Sequence, residues 1–471
     1  MRRVTAPSDM RVDVLVLGGG LAGLSTAYHL RRSGASVLVA EKEARVGGTA
    51  SSSIRKGFVF DQTGHLLHLH SLYGRRLVGS LLRGNLKTLL RSAWIRLQGR
   101  TTRYPFQANT YGLPAATVVD CLAGFLETVY GHKRELCCAS DFEQWSLRRF
   151  GSGICRHFMF PYNRKLWGLP LSRLTTEWQG RFVPAPAPAE VVVGALQDQT
   201  KRFGYNAVFR YPRLGGSQAL ADALAARLES GTVSLGAAVI SVDLAGKTAW
   251  VRGLGEVRFE RLVNTMPLPE FLDLSGPWPA AVRAARRRLR HASVWCLNIG
   301  LDRPDQTGRH WVYFPEPRYP FYRVGIYSNF AAANAPAGTS SYYVEVSRPG
   351  GARFDLRDLE RRVLVGLRDC GVLERGDRLL AKEWRPIPYA YVLYDFPRAP
   401  ALAAIFRELG RQGVESIGRY GAWKYSFMEE ALLDGTACAE RLLNSKMHPA
   451  PRQEGRSAEH LLNPYSEGKH P

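Results

Sequence analysis

An α/β fold that opens on a βαβ unit is predicted by three features of this sequence. The first is a β-rich apolar run, Val12-Asp13-Val14-Leu15-Val16-Leu17, that breaks directly into Gly18-Gly19-Gly20-Leu21-Ala22-Gly23. The second is the helical spacing of Leu24, Ala27, Tyr28 and Leu30, which Gly34 stops. The third is a second short strand, Ser36-Val37-Leu38-Val39-Ala40, closing on an acid, Glu41. Strand, glycine turn, helix, strand and terminal acid form the context in which a G-x-G-x-x-G match carries meaning.

Each residue of that unit then has a task. Gly18 permits the tight turn, Gly20 lets the amides around Leu21 and Ala22 reach a pyrophosphate at the helix N-terminus, and Gly23 allows close helix–strand packing. Glu41 is placed to bond a ribose hydroxyl. The unit reads as Rossmann-like, with a dinucleotide as ligand.

Composition bounds the rest. At roughly 100 to 200 residues per domain, the chain is long enough for two or three domains. With 45% hydrophobic and 22% charged residues among 471 it is neither collagen-like nor disordered, and 27 prolines argue against one continuous helical array. The net charge of +23 attracts phosphates, nucleic acid or anionic lipid. Its arginines are scattered, as at Arg31-Arg32, Arg148-Arg149 and Arg361-Arg362, and no nucleic-acid motif accompanies them, so no nucleic-acid partner is expected. Seven cysteines without a C-x-x-C predict neither a disulfide framework nor a metal site, and they fit a reducing compartment. No stretch approaches the ~20 apolar residues of a membrane span, and the first apolar run is too short for a signal peptide. The expectation is a cytoplasmic protein without a transmembrane segment, with peripheral membrane contact and homo-oligomerisation left open.

Further along, helical spacing over 113–178 predicts a helical insert, with Ser140 and Glu143 as a capping box, closed by Pro184, Pro186 and Pro188. Gly215-Gly216-Ser217 starts a helix at 220–228, followed by short strands at 233–235, 239–242, 249–251, 257–259 and 262–264. Strands dominate from 294 to 394 around a helix at 356–373, then a strand at 414–417 and a helix at 429–443 close the pattern. The predicted division is a dinucleotide-binding domain in three parts (10–75, 205–270, 400–445), a substrate sheet domain in two (76–110, 271–399), a helical domain at 111–200, and a loose tail at 446–471.

Glu41-Lys42-Glu43-Ala44-Arg45-Val46-Gly47-Gly48 resembles the E-x5-G-G segment of the glutathione-reductase and amine-oxidase class of flavoproteins. That resemblance implies FAD, held along Lys42, Arg45, Gly47, Gly48 and Thr49, with Val239 and Gly418 as further contacts. It also implies that the turn Thr63-Gly64-His65, after Phe58-Val59-Phe60-Asp61, faces the isoalloxazine, with Gly64 and His65 at the reacting end. His65 also reads as an ordinary loop histidine, since His68 and His70 crowd the same segment.

Four later motifs, Arg103-Tyr104-Pro105-Phe106-Gln107, the run from Phe158 through Met159, Tyr162 and Asn163 to Trp167, Trp311-Val312-Tyr313-Phe314-Pro315 with Pro320-Phe321-Tyr322-Arg323, and Gly418-Arg419-Tyr420-Gly421-Ala422-Trp423-Lys424-Tyr425, sharpen the likeness. In order and spacing they resemble the UDP-galactopyranose mutases, especially the eukaryotic-type branch, within the FAD-dependent amine oxidase and protoporphyrinogen oxidase-like flavoproteins. The resemblance implies a Rossmann-like FAD-binding domain of glutathione-reductase type, an inserted helical domain and an antiparallel β-sheet substrate domain. It implies an isomerase of cell-surface polysaccharide biosynthesis that interconverts the pyranose and furanose forms of a UDP-sugar through a reduced-flavin N5 adduct, with NAD(P)H as a candidate reductant.

By that resemblance Arg323 and Arg419 bring two guanidinium forks to a diphosphate, and Tyr313, Tyr391 and Tyr425 donate hydroxyls to it. Phe158, Tyr162 and Trp167 offer stacking surface for uracil, Gln107 and Asn163 can meet its imide edge, and Tyr104, Met159 and Trp311 complete the substrate set. Taken singly, such aromatics suit a core equally well. The chain departs from the family in three places. Arg181 stands one position before the expected arginine, where Phe182 sits; Glu429 is the candidate for a displaced acid; and Thr63 replaces a glycine. These departures keep a net FAD-dependent oxidoreductase, and a non-catalytic flavin or nucleotide binder, as alternatives.

Overall fold

The computed structural model describes residues 10–131 and 139–447, so the expected tail lies outside the described residues beyond Met447. Two seven-stranded sheets carry the architecture. The first is centred on Met10–Leu17, which pairs in parallel with Val37–Ala40 on one side and Gly255–Asn264 on the other. Val14, Leu15, Val16 and Leu17 are all at most 1% exposed, as a parallel strand covered on both faces requires. Helix Leu21–Arg31 covers one face, where Ala22, Ala27 and Leu30 meet Cys438, Ala439 and Leu442 of the final helix Met428–Met447. Leu402, Ile405 and Leu409 of helix Arg398–Arg411 pack on the other.

The two strands expected at 257–259 and 262–264 are one strand, Gly255–Asn264. Val257 and Phe259 alternate with exposed Arg258 and Glu260, then Leu262, Val263 and Asn264 are all buried. The pattern changes from one-sided to two-sided burial without a break in the backbone. Its outer edge accordingly takes two partners in succession, Thr248–Val251 antiparallel and Val414–Ser416 parallel.

The second sheet runs Leu379–Val392, His291–Leu301, Ser340–Pro349, Arg323–Ile326, Trp311–Tyr313, Ala93–Leu97, Arg100–Arg103. Every pairing is antiparallel except Trp311–Tyr313 with Ala93–Leu97. Period-2 alternation divides its faces. Val344 and Val346 pack against Leu359, Val363 and Leu367 of helix Leu356–Asp369, while Tyr343 and Glu345 point the opposite way, toward the site.

The helical insert contains Ala115–Tyr130, Phe142–Ile154, a π-helical turn Cys155–Met159 and Phe160–Trp167. The N-cap of the second helix is Asp141, not Ser140. Asp141 has extended backbone and accepts from the Gln144 amide at 3.0 Å, while Ser140 only donates its hydroxyl to Asp141. The π turn interrupts the regular register just where Phe158 and Met159 reach the cavity wall. Among the described residues no helix is long and apolar enough to cross a membrane.

Candidate functional site

The carboxyl ends of the parallel strands and the tyrosine-bearing face of the second sheet enclose a cavity of about 940 Å³. In open α/β sheets ligands bind at those strand ends. One end of the cavity is the glycine turn. A Cβ on Gly23 would lie 2.0 Å from the Gly18 carbonyl oxygen, so this residue lets the helix sit against the strand and takes no part in the cavity wall. A Cβ on Gly20 would meet nothing within 4 Å, because it would project into the cavity. No side chain caps helix Leu21–Arg31, which leaves its first amides facing that space.

Glu41, 5% exposed, accepts from the Gly19 amide at 2.7 Å and the Glu43 amide at 2.8 Å. Burial raises its pKa, and the two amides oppose that rise. Gly18, Leu21, Ala22, Lys42, Arg45, Gly47, Gly48, Thr49, Val239 and Gly418 line the same end. Arg45 is oriented by donating Nη1 to the Ser52 carbonyl at 2.5 Å. An anion cradle at a helix N-terminus, an acid at the end of the second strand and a long cavity beyond them fit the pyrophosphate, ribose and ring system of FAD. These residues would hold it.

The middle of the cavity is the Thr63-Gly64-His65 turn, positioned from below by Tyr343. A Cβ on Gly64 would lie 2.3 Å from the Tyr343 hydroxyl, and one on Gly325 would lie 2.0 Å from its ring, so the tyrosine fills the gap between two glycines. Thr63, at the position where the resembled family has glycine, places its hydroxyl 3.3 Å from His65 Nδ1. Burial, then the charge of Arg419, hold the His65 imidazole down at about 4, and Arg323 adds to the effect. His65 is therefore neutral near pH 7.

Beyond the turn stand the two predicted arginines. Arg323 is gripped by Glu345, with Nη2 to Oε1 at 2.7 Å and Nε on the other carboxylate oxygen. Arg419, on the short helix Gly418–Gly421, donates Nη1 to the Ser426 carbonyl at 2.8 Å and Nη2 to the Ala390 carbonyl at 2.7 Å. Its guanidinium lies 4.7 Å from the Tyr425 ring centroid, and Tyr425 stacks on Tyr391 at 5.8 Å. Burial raises the pKa of Tyr391 and of Tyr425, so both phenols remain protonated donors.

Aromatic rings make the far wall. Phe106, Phe158 and Tyr162 form a near-parallel ladder at 5.0 and 5.1 Å, and Tyr313 packs between Tyr104 and Tyr162 at 5.2 and 5.3 Å. Met159, Trp167 and Trp311 also line the cavity. Gln107 donates Nε2 to the Pro184 carbonyl at 3.0 Å, and its buried Oε1 has no protein partner. Asn163 is more committed, since Nδ2 bonds the Met159 carbonyl at 2.7 Å and Oδ1 accepts from Trp167 at 3.2 Å.

One sequence expectation, Glu429, does not place a side chain in the cavity. Glu429 is a helix-end anchor, accepting from the His70 amide at 2.8 Å and the Ser71 amide at 2.9 Å at the start of helix Leu72–Leu82. Its chain neighbour Met428 lines the cavity, and the turn into the last helix carries Glu429 away from it. The side chain of Arg181 lies outside the described residues, while Phe182 lines the cavity and packs edge-on against Tyr425 at 4.5 Å. Tyr343 and Glu345 were missed by sequence reasoning; both lie in strand Ser340–Pro349, and nothing in its alternation reveals its register against Arg323.

The fold and site define a flavoprotein. The sequence pattern of the flavin-containing amine oxidoreductases matches residues 21–443, and the chain belongs to that family. A proposed flavin-containing monoamine oxidase of Mycobacterium tuberculosis, AofH, is 29% identical over 320 residues, 59% of this chain and 64% of its own length. A phytoene desaturase of Cercospora nicotianae is 42% identical over 68 residues, 14% of this chain and 11% of its own length. An inactive all-trans-retinol 13,14-reductase of Danio rerio is 44% identical over 50 residues, 11% of this chain and 8% of its own length. The chain thus spans less than two thirds of these relatives. Among solved structures, it is similar to a reduced UDP-galactopyranose mutase, with a TM-score of 0.87 and 26% identity over 92% of this chain and 96% of that one. A putrescine oxidase bound to putrescine, at TM-score 0.61 and 17% identity over 92% of this chain and 99% of that one, shares the fold.

Two outcomes follow from this geometry. Gly20→Val should fold and lose bound flavin, whereas Gly23→Val should not fold; a Gly20→Val protein with a full flavin absorbance would contradict the cradle. Burial, the leading cause in each case, also holds His68, His291 and His310 at about 4. Because these groups titrate near 6.5 when unfolded, the unfolded chain takes up protons first as pH falls, so stability is complete above about 6.5 and declines toward 4. The melting temperature of His68→Phe should fall less steeply than that of the native protein between those limits, and parallel curves would contradict the assignment.

Proposed function

We propose that this protein is a UDP-galactopyranose mutase-like isomerase, interconverting the pyranose and furanose forms of a UDP-sugar with reduced FAD, NAD(P)H being the candidate reductant. The observation that carries this reading is the convergence of Arg323 and Arg419, with tyrosine hydroxyls, on the turn that faces the flavin site. Likeness to a reduced UDP-galactopyranose mutase supports it. Bound in its reduced form, FAD supplies the nucleophile for the anomeric carbon.

The chain's own residues bind, orient and stabilise. Arg419 and Arg323 present N–H groups to a diphosphate leaving group, where charge grows as the glycosidic bond breaks. Tyr391 and Tyr425 add protonated phenols. Tyr162, backed by Phe158 and Phe106, gives a pyrimidine a flat face, and Gln107 Oε1 can accept from its imide N–H. His65, neutral, can hydrogen-bond without adding a third cation beside the ring. No side-chain nucleophile is required.

A second reading, net oxidation of a small substrate by FAD, has one observation in its favour. Phe182, Tyr205 and Phe427 form an apolar cluster along the cavity, with ring centroids 5.0 to 5.8 Å apart. Anaerobic assays separate the two. The mutase reading predicts that only dithionite- or NAD(P)H-reduced protein interconverts UDP-galactopyranose and UDP-galactofuranose, and that Arg419→Ala lowers turnover by about 10². Flavin bleaching by a substrate that is oxidised in equal amount would contradict it.

A further inference from the structure

Arg323 and Arg419 reach the same cavity in different electrical states. Arg323 and Glu345 are direct cross-strand partners in the register of Arg323–Ile326 with Ser340–Pro349. The carboxylate is 0% exposed, and both of its oxygens accept from the Arg323 guanidinium. The rings around this pair, Tyr322 and Tyr343, are uncharged, with the guanidinium 5.9 and 5.7 Å from their centroids. As a unit the pair is neutral. Arg419 is held instead by two carbonyl oxygens and by tyrosine faces, and among the described residues no carboxylate pairs with it. Two backbone carbonyls orient a cation without cancelling its charge.

We propose that Glu345 is a positioning residue that neutralises Arg323, so that of the two guanidinium groups at this turn it is Arg419 that supplies net positive charge to draw a nucleoside diphosphate into the site. This rests on the functional reading above. Arg323 then serves as an aimed donor with its Nε and one Nη2 hydrogen committed to Glu345 and its Nη1 edge left for the ligand. The arrangement has a physical rationale. Two full cations would hold a departing diphosphate tightly, whereas one cation and one compensated donor keep the directional hydrogen bonds and reduce the long-range pull.

The prediction runs against the usual result of breaking a buried pair. Glu345→Gln uncovers one positive charge facing the ligand, so UDP should bind about tenfold more tightly, a change of about 1.4 kcal/mol, with a steeper dependence on ionic strength. A merely structural role for Glu345 would weaken binding. The measurement is isothermal titration of the oxidised, FAD-loaded protein with UDP, and in parallel with inorganic diphosphate, across a range of ionic strength. Arg419→Gln should bind more weakly with a shallower salt dependence. The double variant Arg323→Met with Glu345→Gln removes no net charge and should keep the native salt dependence. The proposal is overturned if Glu345→Gln binds either probe no more tightly than the native protein, or if the double variant loses salt dependence as Arg419→Gln does. Should Glu345→Gln not load flavin, the comparison of the double variant with Arg419→Gln decides alone. A native protein that binds diphosphate but not UDP removes the nucleotide-sugar reading, and the diphosphate series still judges the charge assignment.

Discussion

Asp61, the last residue of strand Phe58–Asp61, ties that strand to the second sheet at the place where the cavity forms. Its fully buried carboxylate accepts from Ser52 Oγ at 2.6 Å, Tyr211 Oη at 2.8 Å and the Ser217 amide at 2.9 Å. Its backbone carbonyl accepts from Tyr327 Oη at 2.9 Å and Asn298 Nδ2 at 3.1 Å, both borne by the second-sheet side of the molecule. Burial raises the carboxyl pKa, and the surrounding donors oppose it. Buried and, among the described residues, without a cationic partner, such a group is tolerable only when its lone pairs are met, so the network fixes the strand end from which Thr63, Gly64 and His65 project. The distance between the glycine cradle and the arginines depends on that junction.

From the junction the electrostatics follow in order. The Gly64–Tyr343–Gly325 sandwich carries the turn onto the strand pair that bears Arg323 and Glu345. Arg419 enters from the other sheet, since its helix follows Val414–Ser416 directly. The site is thus built where both sheets contribute one guanidinium, and neither sheet alone would bring the two to His65.

Local signals were legible in the sequence where chemistry and backbone geometry coincide. The glycine turn, the terminal acid Glu41 and the late helix reveal themselves because a tight turn, a ribose contact and a helical stripe each demand particular residue types at fixed spacing. The cavity-lining aromatics were found through resemblance, since burial alone gives a tyrosine the same appearance in a core as in a site. Helices Leu72–Leu82 and Arg398–Arg411 do carry helical stripes, at Leu77, Val78, Leu81 and Leu82 and at Ala401, Leu402, Ile405 and Leu409, whereas the five-residue strands Leu86–Leu90 and Ala93–Leu97 are too short for alternation to stand out in the sequence. Glu429 was misread for a different reason. Its position after Tyr425 placed it near the site in sequence, and the three donors that claim it, two amides and the Ser71 hydroxyl, come from residues 70 and 71, a partnership no local pattern records. Glu345 was invisible for the same cause, because strand register sets its partner.

The most direct test of the account is a crystal structure of the FAD-loaded protein with UDP. The account predicts the diphosphate between the Arg419 guanidinium and the free Nη1 edge of Arg323, with the pyrimidine against the Phe158–Tyr162 wall and the phosphate chain ending beside the flavin-facing turn. A diphosphate bound elsewhere, with both guanidinium groups turned away from the coenzyme, would contradict it.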